Sequence, residues 1–167
     1  VIRAALGMAH RRDAARIIIG VNEDDKRDPI PTGISDEQLD TWTYDELADL
    51  LDEYSDPNVV FDLKPKKFDG KNFVVIEIRE FDDIPVLCNR NYGEVLRKGA
   101  CYVRPRRKPE TSEIPAQADM RDLLDLAVEK RLRKFIATAS KAGLLPTPAG
   151  LPSDSDRFNQ QVKSLLG

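Results

Sequence analysis

Asp69-Gly70 separates two runs that alternate apolar and polar residues, and no other feature restricts the fold of this chain so tightly. Ahead of it, Val59–Phe68 sets Phe61 and Leu63 against Val60, Asp62 and Lys64. Behind it, Asn72–Glu80 sets Val74, Ile76 and Ile78 against Phe73, Val75 and Glu77. A period of two gives each run one face for a core and one for water. Asp-Gly tolerates the positive φ angles of a two-residue turn, so the runs are predicted to pair as an antiparallel hairpin. A lone hairpin is not stable in water, so other elements must cover its apolar face.

The rest of the chain supplies them. Ile2–Ala9 places Ile2, Ala5, Leu6 and Ala9 at helical spacing, and Arg16–Val21 is a β-branched run that reads as a buried strand. Asn22–Thr32, with four acids and two prolines, reads as a loop. Ser35-x-x-Gln38 and Thr43-x-x-Glu46 have the spacing of a capping box. The second opens a helix through Tyr44, Leu47, Leu50, Leu51 and Tyr54, which Asp56-Pro57-Asn58 ends. Pro85–Asn89 suggests a brief edge strand and Gly99–Arg104 a last one. A long helix is predicted from Asp119 to about Ala142, with Met120, Leu123, Leu124, Ala127, Phe135, Ile136 and Ala139 on one face and Gly143 as its stop. Leu144–Pro152 reads as a linker and Asp156–Leu166 as a final helix. The expected fold is α+β: a mixed, mainly antiparallel sheet with packed helices and a long C-terminal helix. Residues 1–142 are expected to form that domain, and 143–167 a linker and helix leading to or belonging to a further region. Val1 in place of an initiator Met reads as a piece of a longer protein.

At 167 residues and 41% hydrophobic content, one core of ordinary size is expected. No apolar run reaches the length needed to cross a bilayer, and no signal peptide is legible, so no membrane partner is expected. Cys88 and Cys101 make no disulfide framework or zinc-site spacing, which points to a reducing, cytoplasmic setting. No phosphate-cradling Gly-x-x-x-x-Gly-Lys-Ser/Thr string occurs, so ATP hydrolysis by this segment is not expected. His10 has no nucleophile in a recognisable motif and reads as a surface residue at a helix end. Trp42 reads as a packing residue beside the Thr43 cap, with base stacking as the alternative.

Charge is distributed unevenly. Residues 1–60 carry 14 acids against 6 bases in a chain of net charge −3, so the remainder is basic. Arg97, Lys98, Arg104, Arg106, Arg107 and Lys108 fall in one acid-free stretch. Arginine and lysine neutralise phosphates, and Pro105 would hold the segment outward. With Arg11 and Arg12, this strip is the candidate surface for DNA or RNA; a solvated loop or internal ion pairing is the alternative reading. Glu23, Asp24 and Asp25 are the weaker candidates for Mg²⁺ or Mn²⁺, since hard cations take oxygen ligands but adjacent carboxylates seldom converge.

The order of helix, Ile17-Ile18-Ile19-Gly20-Val21 strand, acidic loop, capped helix, hairpin and Tyr102-Val103-Arg104 strand resembles the Schlafen/AlbA-like DNA-binding domain, often labelled a divergent AAA or ATP-binding family in bacteria. The resemblance lies in Ala5–Val21, Phe68–Ile78 and Gly99–Arg104, and covers roughly residues 1–135. It implies a cytoplasmic nucleic-acid-binding module of a larger bacterial regulator or defence protein, without a cofactor and without catalysis by this segment. Family members carry a Glu-Phe-Lys strand before the first helix, a segment that would lie upstream of Val1. Many also have an Asn-Thr-Gly-Gly turn where this chain has Met8-Ala9-His10-Arg11-Arg12-Asp13. Relatives that cut RNA use a carboxylate triad, two from that strand and one just past Ile-Gly-Val, where Asn22 stands here. A metal-dependent ribonuclease completed by upstream carboxylates, using Mg²⁺ or Mn²⁺, is therefore the second reading. The third is a protein-docking or homodimerisation domain acting through the sheet edge and the long helix.

Overall fold

The computed structural model describes residues 1–12, 15–26, 28–104 and 110–144. In chain order the elements are α1 (Ile2–Met8), β1 (Ala15–Ile19), β2 (Val21–Glu23), β3 (Pro29–Pro31), α2 (Asp36–Asp40), α3 (Tyr44–Tyr54) and β4 (Ser55–Asp56). They continue with β5 (Phe61–Phe68), β6 (Lys71–Ile78), β7 (Leu87–Cys88), β8 (Tyr102–Val103), β9 (Ser112–Glu113) and α4 (Gln117–Lys141). This is an α+β fold, and every strand pairing among the described residues is antiparallel. The expected linker after Leu144 and the helix Asp156–Leu166 lie outside the described residues. No described helix is long and apolar enough to cross a membrane.

The hairpin forms as its alternation requires. Asp69 and Gly70 take φ of 48° and 71°, the left-handed pair of a two-residue turn. Phe61 then faces Ile78, Leu63 faces Ile76 and Phe68 faces Lys71. β1 joins the far side of β6, giving the sheet order β1-β6-β5. Ala15, Ile17 and Ile19 meet Ile78, Ile76 and Val74 on one face. That face joins Ala5, Leu6, Leu47, Leu51 and Phe61 in a single apolar core with Val86, Cys88, Tyr102, Leu123, Leu126 and Ala127. Ile76 and Ile78 have no exposed surface.

Two expectations change. The Ile-Ile-Ile run is not a fully buried strand: β1 is an edge strand, and Ile18, on the other face, is 50% exposed. A continuous apolar run does not distinguish the interior of a sheet from its edge. The acidic segment Asn22–Thr32 is not only a loop, since β2 and β3 pair within it, Val21 with Pro31 and Glu23 with Pro29. Its prolines sit where an edge strand tolerates a missing N–H.

Helix ends follow their caps. The Ser35 hydroxyl accepts from Gln38 N–H while the Gln38 side chain accepts from Ser35 N–H, and Thr43 accepts from Glu46 N–H. By contact the chain divides into the units Val1–Val128 and Glu129–Gly167. In the second unit, Gly143 takes φ 69° and donates to Ser140 O, while Leu144 N–H reaches Ala139 O. That bond pair is the expected glycine stop.

Gly7 permits a close approach. A Cβ there would meet Thr111 Cγ2 at 2.4 Å, and the buried Thr111 Oγ1 has no hydrogen-bond partner among the described residues. Gly7→Ala is expected to destabilise the protein by about 1–2 kcal/mol, because a stiff threonine must shift in a packed site. Thr111→Ala should remove most of that cost. A double-mutant cycle in urea measures the coupling, and additive losses would mean that the two sites do not touch in solution.

Candidate nucleic-acid interface

Alternation places on the second face of the sheet every side chain that the core does not take. Its register reads in rows. Asp62, Glu77 and Arg16 form one row; Lys64, Val75 and Ile18 the next; Lys66 and Phe73 the third; Phe68 and Lys71 the last, at the hairpin tip. Rows on one face lie two residues apart, about 7 Å. In the first rows charges are paired: Glu77 accepts from Arg16 at 2.8 Å and from Lys64 at 2.5 Å, and Asp62 pairs with Arg79 at 2.8 Å. Two cations beside one carboxylate hold Glu77 down at about 2, so it is ionised at any physiological pH. The face thus carries five cations, Arg16, Lys64, Lys66, Lys71 and Arg79, against two carboxylates. Toward the tip the partners run out. Among the described residues, Lys66, Lys67 and Lys71 make no ion pair; Lys71 Nζ donates to Pro31 O at 2.8 Å. Phe68, between them, is 68% exposed.

Lys67 points to the other side of the hairpin. With Lys71, Thr32, Gly33, Ser35 and Asn72 it lines a polar cleft of about 410 Å³. Asn72 Nδ2 bonds Asp36 Oδ1 at 2.6 Å and ties the hairpin to α2. Phe73 is buried and packs where a Cβ on Gly20 would sit 3.0 Å from its ring. Gly20, at φ 102°, lets β1 turn into β2 at that contact.

The strip expected from the sequence is only partly described. Arg97 is committed locally: its guanidinium pairs with Glu113, which raises its pKa and lowers that of the carboxylate. Its backbone N–H donates to the Tyr102 hydroxyl at 2.9 Å. Lys98 is exposed, Arg104 is half-buried just past β8, and Arg106, Arg107 and Lys108 lie outside the described residues. Arg11 is half-buried and Arg12 exposed, both directly after α1. The Arg3 guanidinium lies 5.6 Å from the centre of the Tyr102 ring, a cation–π contact at the same strand. The structure therefore ties Arg97, the first cation of the expected strip, to a carboxylate.

The acidic residues serve the turn between β2 and β3. Asp24 Oδ1 accepts from the N–H groups of Lys26 and Asp28, both at 2.8 Å, while Asp24 N–H bonds Asp28 O. Glu23 lies in β2 and Asp25 is exposed. Among the described residues no three acidic, histidine or cysteine side chains gather in a way that would hold a metal ion.

His10 differs most from its expected place. It is mostly buried, with Nδ1 2.6 Å from Tyr102 O and Nε2 2.9 Å from Val86 N. A carbonyl only accepts and a backbone N–H only donates, so the proton sits on Nδ1 and the ring is neutral. Burial lowers its pKa accordingly. Cys101 Sγ lies 3.9 Å from Nδ1, but burial pushes that thiol up to about 11. At neutral pH it is held in the thiol form. Trp42, as expected, packs against the core.

Fold and surface together define an α+β protein with a cationic sheet face that ends in an exposed aromatic. Compared with known proteins, the chain matches no family model, no curated protein and no solved structure. The lysine-rich tip was legible: Lys64, Lys66, Lys67 and Lys71 surround Phe68 within eight residues.

Proposed function

We propose that this chain is a nucleic-acid-binding module, of the kind its Schlafen/AlbA-like resemblance implies, acting in the reducing environment of the cytoplasm. The observation that supports it is the lysine cluster around the hairpin tip, where Lys66, Lys67 and Lys71 stand without described carboxylate partners in a protein of net charge −3. Lysines in such an array neutralise successive phosphates and release counterions, which makes binding fall steeply with salt. Both cysteines are buried and free, which suits a reducing compartment.

The test is fluorescence anisotropy with labelled DNA and RNA oligonucleotides across a range of salt concentrations. Three or four phosphate contacts should give a slope of log K against log salt of about −2 to −4. A slope near zero, or no binding at low salt, would reject the reading.

A further inference from the structure

We infer that the hairpin tip takes single-stranded nucleic acid, with one unpaired base stacked on Phe68 and phosphates on Lys66 and Lys71. This rests on the nucleic-acid reading and goes further by naming the form of the polymer. Phe68, Lys66 and Lys71 share one face of the sheet, because Lys66 is two residues before Phe68 and Lys71 is its cross-strand partner. The ring thus has Lys66 two residues before it along the strand and Lys71 across it, where Nζ also reaches Pro31 O at 2.8 Å. A phenylalanine 68% exposed at the end of a strand contributes little to the fold. The other aromatic on that face, Phe73, is buried opposite Lys66, whereas Phe68 is open to solvent.

Chemistry selects the occupant. An aromatic face gains from a base only when that base is free to leave its neighbours, which single strands permit and duplexes do not. The lysines supply the backbone attraction that would otherwise bind any polyanion. Together they favour a flexible strand whose bases turn toward the protein.

The experiment compares oligouridylate, oligothymidylate and duplexes of the same length by anisotropy on the full chain. Wild type, Phe68→Ala, Phe68→Leu and Lys66→Glu/Lys71→Glu are each measured. Single strands should bind about tenfold or more tightly than duplexes, and both Phe68 variants should lose roughly 5- to 100-fold on single strands alone. The ratio between oligouridylate and oligothymidylate distinguishes RNA from DNA as the source of the strand. Full affinity in Phe68→Leu, or equal binding of duplex and single strand, overturns stacking. If the lysine reversal still abolishes binding in that case, the broader nucleic-acid reading stands. Absence of binding to any oligonucleotide overturns both. Self-association that Phe68→Ala abolishes, in a protein that binds no nucleic acid, would assign the tip to protein contact instead.

Discussion

Lys66→Glu with Lys71→Glu is expected to weaken nucleic-acid binding by about two orders of magnitude or more at 50 mM salt. Each phosphate contact contributes roughly 0.7–0.9 to the salt slope, or about tenfold in affinity at that salt concentration. Reversal adds repulsion to the loss of each contact. The slope itself should shrink by about 2. Both lysines are exposed and make no described ion pair, so the fold should survive. Arg97 provides the contrast, since its charge is held by Glu113. Arg104→Glu/Arg106→Glu/Arg107→Glu tests the strip after β8 in the same assay. Loss in that triple variant with none in the lysine pair would move the interface from the sheet face to the strip.

Removal of the His10 imidazole should cost about 2–5 kcal/mol of stability, because His10→Ala leaves the Tyr102 carbonyl and the Val86 N–H without partners in a packed site. In a chain of this size that lowers Tm by on the order of 10 °C. The same ring sets a pH dependence with a definite sign. Its pKa in the folded protein lies below the ordinary 6.5, because burial disfavours the imidazolium. Its contribution is therefore complete above pH 6.5 and is lost as pH falls through the lowered value. A protonated Nε2 can no longer accept from Val86 N–H. Glu77, lowered to about 2 from 4.5, begins to lose its own contribution only as pH drops below 4.5. Between pH 6.5 and 4.5 the decline should thus be mainly that of His10. Urea unfolding across this window checks it, and His10→Gln should flatten the curve there. A wild-type curve already flat in that window would mean that the ring is not buried in solution.

The hairpin was legible because its cause is local. Alternation between Phe61 and Ile78, with Asp69-Gly70 at the centre, encodes register, turn and core face within twenty residues. The caps at Ser35 and Thr43 and the stop at Gly143 were legible for the same reason, since each bond joins residues close in sequence. The α+β class followed from the order of those elements.

What stayed hidden depends on distant pairs. His10 meets Tyr102 and Val86 across 92 and 76 residues, and nothing near it in sequence announces either partner. Ile18 looked buried because the residues of the run do not show that only one face of the sheet meets the core, and Ile18 lies on the other with Val75. Whether Arg97 was paired internally stayed open until β9 brought Glu113 within reach. The residues alone determined where cations and apolar side chains stand along the chain. Tertiary structure decided which of those cations are neutralised and which aromatic reaches solvent, because pairing and burial are properties of neighbours in space.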